Sequence, residues 1–295
     1  MPEASGTGDE SHGVGGPPGG PAAASGAPDD PGVNGPVVRR ARRSARDTLG
    51  YQPALDGLRA VAVLAVLFFH ARFGWAKGGF LGVSTFFTLS GFLITSLMLA
   101  EWRGSGAVSL RGFYKRRFRR LLPASWTTLL LVVGMGAAGV WTTSQLRDLR
   151  GDVPWALAEL VNWHFIAEDR TYGAQFEAPS PLEHFWSLAV EQQFYLLLPV
   201  VVVAALGWSR RRAVAHGRGT LDGPAATPLG LLVGILLLAT VASAVLNGLL
   251  ARDSVARAYF GTDTRLAELA IGALLACVGL AAVRGRTTFQ RRIRD

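Results

Sequence analysis

The stretch ALDGLRAVAVLAVLFFHARF, residues 54–73, decides the fold class. Its length matches the ~20 residues that a helix needs to cross a bilayer. Its apolar run nevertheless carries Asp56, Arg59 and His70. Ionisable groups are costly inside a membrane, so by default they mark a functional site. Arg59 and His70 are eleven residues apart. That is close to three helical turns, which sets both on one stripe ~16 Å apart along the axis. Asp56 precedes Arg59 by three residues and can pair with its guanidinium. Two readings fit: a structural Asp–Arg pair beside a histidine that bonds a neighbouring helix, or a polar path through the bilayer.

Five further apolar blocks follow, near 79–100, 121–141, 184–206, 228–250 and 264–283. The chain of 295 residues is 49% hydrophobic and 17% charged, against ~25% charge in an average soluble domain. These features exclude a wholly soluble enzyme. The single cysteine, Cys277, excludes a disulfide scaffold and a cysteine zinc site. The expected fold is all-α: a polytopic transmembrane helix bundle of about six spans over 49–295. Residues 1–48 form a separate tail. Its first 36 residues hold ten Gly and seven Pro, a composition that cannot bury enough surface to fold. It is expected to be disordered and cytoplasmic.

The net charge of +9 is almost all arginine, since the only lysines are Lys77 and Lys115. Cytoplasmic flanks should be rich in Lys and Arg. With the tail inside and the patch 154–167 not crossing, 21 of the 30 cations fall inside, eight outside, and Arg59 within the first span. That split predicts a multi-pass plasma-membrane protein with both ends cytoplasmic. The patch 154–167, which contains Glu159, Asn162 and His164, is then a re-entrant or interfacial element outside. The charge is a topology signal and does not call for nucleic acid.

Three further clusters carry ionisable groups. In the run FYKRRFRRLLP, residues 113–123, Arg117 and Arg120 share a helix face under the cytoplasmic boundary. Two guanidinium forks there suit phosphates, either those of an acyl-CoA or those of anionic lipid heads. In HFWSLAVEQQFY, residues 184–195, one helical face carries His184, Ser187 and Glu191. A polar cavity lining fits this better than a Ser-His-Glu hydrolase, because no G-x-S-x-G elbow is present. In YFGTDTR, residues 259–265, Asp263 and Arg265 with Glu268 would cap the outer end of the last span as a structural ion pair or line its mouth. No phosphate-binding loop, dinucleotide fingerprint or H-E-x-x-H zinc motif occurs, so no metal and no bound cofactor is expected. The position five residues after His70 is Trp75, which speaks against the H-x4-D lipid acyltransferases.

These clusters, in this order, resemble the acyltransferase-3 family, the membrane O-acyltransferases of bacterial surface carbohydrates. The matching pieces are Leu55-Asp-Gly-Leu-Arg59 with His70, the stretch Phe80–Ile94, Arg117-Phe-Arg-Arg120 before Pro123, Phe185–Tyr195, and Asp263-Thr-Arg265. The match runs from about residue 51 to 283. The resemblance implies acyl transfer, most simply of acetyl, from cytoplasmic acyl-CoA to a hydroxyl of an extracytoplasmic carbohydrate or glycolipid. Cell-wall polysaccharide, peptidoglycan, lipopolysaccharide, a lipid-linked sugar and a macrolide-like metabolite all stay open as acceptors. It implies that Arg117 and Arg120 hold the acyl-CoA phosphates. His70 and Arg59 would line the path, with His70 as general base or acyl carrier. Glu191 and His184 would stand at the outer side of the cavity. Members of the family usually have about ten spans of ~20 residues each, so the six found here imply part of such an enzyme. A partner-dependent or inactive fragment and a transporter-like relay of Arg59, His70 and Glu191 are the alternatives.

Overall fold

The computed structural model describes residues 53–170, 179–216 and 229–292, with side chains up to Leu280. The tail 1–48 and its basic cluster lie outside the described residues. Every regular element among the described residues is helical. Helix α1 (Pro53–His70) leads through a 3₁₀ segment (Gly74–Phe80) into α2 (Leu81–Ser105) and α3 (Leu110–Ala137). Two short helices follow, α4 (Thr143–Leu157) and α5 (Val161–Ala167). Then come α6 (Phe185–Ala215), α7 (Gly230–Leu250), the short α8 (Val255–Phe260) and α9 (Thr262–Arg292).

Among the described residues, five helices, α1, α2, α3, α6 and α7, are long and apolar enough to span a bilayer. The sixth expected span, 264–283, falls on α9. The patch 154–167 is split between α4 and α5, of 15 and seven residues, and neither is long enough to cross. Between them the backbone turns through Glu159 at φ 54. The basic run 113–123 is helical, as the shared face of Arg117 and Arg120 requires. It forms the opening turns of α3, whose N-cap Ser109 accepts from the Gly112 amide. That short polar cap satisfies an orphan amide and starts the helix before the apolar block does.

Burial separates the centre from the rim. Half of the most apolar window of α6 is buried, but only 6% of those of α1 and α3. The exposed faces of α1 and α3 carry Val61, Leu64, Leu67, Leu130 and Leu131, which suits contact with acyl chains. Lipid is as apolar as leucine, so burial gives helices little reason to associate within it, and close packing must hold the centre. The crossing of α2 and α9 shows how. A Cβ placed on Gly91 would stand 1.9 Å from the Leu269 carbonyl oxygen, and one on Gly272 would stand 1.9 Å from that of Thr88. Only two glycines let these backbones meet. Thr88 Oγ1 then donates to the Glu268 carbonyl across the crossing, at 3.1 Å.

Candidate active site

Polar groups run as a column along α6. At its start, the ring of His184 meets the ring of His70 edge to face, with centroids 4.7 Å apart. His70 is the last residue of α1, and its Nδ1 lies 2.7 Å from the Val66 carbonyl oxygen. A carbonyl can only accept, so Nδ1 carries the proton and the basic lone pair of neutral His70 is on Nε2.

Two turns along α6, ~10 Å away by helical rise, stands Glu191. Its Oε1 accepts from the Ser90 hydroxyl of α2 and from the Tyr195 hydroxyl, the latter at 2.7 Å. Two donors with geometry fixed by two helices keep this carboxylate in one place. The Arg117 guanidinium of α3 lies over the Tyr195 ring, 3.8 Å from its centroid, in cation–π contact. Its Nε is buried without a hydrogen-bond partner. The cluster therefore joins α2, α3 and α6.

The structure brings some of the expected residues together and separates others. His70, His184, Glu191 and Arg117 lie along one column. Arg59 pairs with Asp56 at 3.7 Å, three residues before it on α1. Arg120 is exposed and does not share the Tyr195 contact of Arg117. Ser187 donates to the His184 carbonyl at 3.2 Å, so its hydroxyl is turned to backbone rather than to Glu191. Asp263 and Arg265 do not pair with each other. Asp263 binds Arg257 through both of its oxygens, the shared Oδ1 contact being 2.7 Å. Arg265 binds Glu268 at 2.9 Å and donates to the Tyr259 carbonyl at 2.8 Å. Glu268 in turn accepts from Ser84 on α2 at 2.9 Å.

Sequence reading missed Ser90, Ser84, Arg257 and a second polar knot. In that knot, Gln193 Nε2 donates to Asn162 Oδ1 and to the Glu159 carbonyl, both at 2.9 Å. Asn162 Nδ2 donates to Thr262 Oγ1 and to the Phe260 carbonyl, both at 3.0 Å. The available signal was a serine, glutamine or asparagine inside an apolar block. Such a residue needs a partner in lipid, but nothing in the sequence names it.

The sequence model of a family described as an acyltransferase domain, acyltransferase-3, matches residues 52–287. The chain belongs to this acyltransferase family. It is 38% identical over 237 residues to the peptidoglycan O-acetyltransferase OatA of Listeria monocytogenes, a match covering 80% of this chain and 35% of that protein. It is 41% identical over 227 residues to a Staphylococcus aureus protein named "Putative O-acetyltransferase", covering 77% and 34%. To the Bacillus subtilis protein named "Putative peptidoglycan O-acetyltransferase YrhL" it is 39% identical over 234 residues, covering 77% and 33%. The chain thus spans about a third of the length of these relatives. No solved structure matches it.

Proposed function

We propose that this chain is the membrane acyl-transfer part of a peptidoglycan O-acetyltransferase, taking acetyl from acyl-CoA on the cytoplasmic side to a sugar hydroxyl outside. The observation that carries this is the His70–His184 contact at the head of the α6 column, with Nε2 of His70 as its base. The relatives' names supply the acceptor class. In the transfer, Nε2 takes the proton of the acceptor hydroxyl, whose oxygen attacks the acyl carbonyl. The carbon–sulfur bond breaks, and the leaving thiolate takes up a proton. Positioned proton transfer of this kind contributes ~10²–10⁴-fold.

Arg117 and Arg120 are proposed for the donor. A buried guanidinium Nε without a partner is a costly arrangement, and an incoming phosphoryl or carbonyl oxygen would relieve it. Glu191 holds Tyr195 in place beneath Arg117. Arg59, paired with Asp56, keeps a charge fixed at the opposite end of α1 from His70. His184, Ser187, Asp263 and Arg265 are proposed for the acceptor side of the cavity. The N-terminus is cytoplasmic in this reading, supported by the 21 cations that would share its side.

The test supplies membranes containing the protein with acetyl-labelled acetyl-CoA and peptidoglycan. Base-labile label on the polymer, dependent on the protein, is expected. Label that stays with the donor in the presence of competent acceptor would overturn the reading.

A further inference from the structure

Outside the column, α4 and α5 bring together Asp152, His164 and Glu168. Asp152 is fully buried, His164 nearly so, and Glu168 half exposed. His164 Nε2 lies 3.2 Å from Asp152 Oδ1 and 3.5 Å from Glu168 Oε1. The three ligand atoms all fall within 4.8 Å of one another.

Asp152 Oδ1 and His164 Nε2 are both buried without a hydrogen-bond partner. They face each other without hydrogen-bond geometry. The other oxygen, Asp152 Oδ2, is held by the Ser180 hydroxyl and by Arg170 Nη1, the latter at 3.0 Å. Those two donors fix the carboxylate and turn Oδ1 inward, as outer partners of a metal ligand do. The indole of Trp155 stacks on the His164 ring at 5.4 Å and fixes its plane. A Cβ on Gly151 would stand 3.7 Å from His164 Nε2, in ordinary van der Waals contact.

Charge points the same way. Two carboxylates, Asp152 fully buried and Glu168 half exposed, share one guanidinium, Arg170. The Arg170 guanidinium contacts both carboxylates, Asp152 at 3.0 Å, and supplies one positive charge. A buried charge is normally paired or bound to a metal.

We propose that Asp152, His164 and Glu168 form a binding site for a zinc-class divalent cation that ties α4 to α5. Ligand atoms around a tetrahedral zinc, ~2.0–2.2 Å from the metal, stand about 3.3–3.6 Å apart. The 3.5 Å distance from His164 to Glu168 falls in that range, and the 3.2 Å distance to Asp152 lies 0.1 Å below it. Two oxygens and one imidazole nitrogen suit zinc better than magnesium or calcium, which favour all-oxygen shells. The fourth position opens beside half-exposed Glu168, where water completes the shell. The spacing fits no motif: an Asp, a His twelve residues later and a Glu four beyond it. Sequence alone therefore gave no metal expectation.

The competing occupant is a proton on His164, which would join the two carboxylates without metal. The test uses the tag-free chain in detergent, stripped with chelator and titrated with zinc by calorimetry, with the bound metal counted. One zinc per chain is expected, together with a rise in melting temperature. His164→Ala and Glu168→Ala should each weaken that binding at least tenfold and remove the thermal shift. Glu168→Ala serves as the safeguard, because a half-exposed side chain can be removed without unfolding the helix. No stoichiometric zinc in the wild type, or uptake unchanged in both variants, would overturn the site and leave the proton as occupant.

Discussion

Glu191 shows at the scale of one residue what the bundle invests in its centre. Its carboxylate accepts from Ser90 and Tyr195, and Ser90 is 101 positions away in sequence. Hydrogen bonds to a charged group contribute about 1.5–3 kcal/mol. Ser90→Ala should accordingly lower the melting temperature in detergent by an amount equivalent to about 2 kcal/mol. Glu191→Gln keeps an accepting oxygen but removes the charge, and should cut acetyl transfer at least tenfold while the protein stays in the membrane. Glu159 offers a pH test. Burial pushes its carboxyl up from 4.5 to about 7, and its Oε1 has no hydrogen-bond partner. The folded chain thus holds this proton more tightly than the unfolded chain does. Stability from this group is complete below pH ~4.5 and is lost as pH rises through about 7. Glu159→Gln should raise the melting temperature at pH 8 and leave it unchanged at pH 4.5.

Among the elements, the apolar blocks were legible because lipid-facing runs such as Leu130–Leu131 on α3 have no reason to be polar. Glycines in those blocks were less readable. Gly91 and Gly272 are indistinguishable in sequence from Gly134, yet the first two sit at a backbone contact and the third faces open space. Gly91→Ala forces a Cβ against a carbonyl that cannot swing away, and should cost about 3 kcal/mol or more of stability. Gly134→Ala should be neutral or stabilise by about 0.5–1 kcal/mol, since alanine is the better helix former. Thermal melts of the two variants side by side check both. The apolar block near 121–141 located the span but not the start of α3, because the Ser109 cap begins the helix at Leu110, before the apolar residues. Pairings such as Arg257 with Asp263 were hidden by the nearer Arg265, which turns to Glu268 instead.

Across the whole molecule, two short helices and their charges stand beside a bundle whose polar groups line up along α6. The stripe from Arg59 to His70 and the motif from His184 to Tyr195 were each visible in sequence. That His70 meets His184 was not, because the contact joins the end of one helix to the start of another 114 positions away. The column has a histidine pair at one end and Arg117 at the other, and the proposed mechanism assigns proton transfer to the histidine end. Arg117→Ala should raise the acyl-CoA concentration needed for half-maximal transfer more than tenfold, whereas His70→Ala should leave donor binding intact. The most direct test is acetyl transfer to peptidoglycan by His70→Ala, assayed in membranes at matched protein level. A fall of ~10²-fold or more, with the protein still inserted and still binding acyl-CoA, is the predicted result. Transfer at the wild-type rate would contradict the account.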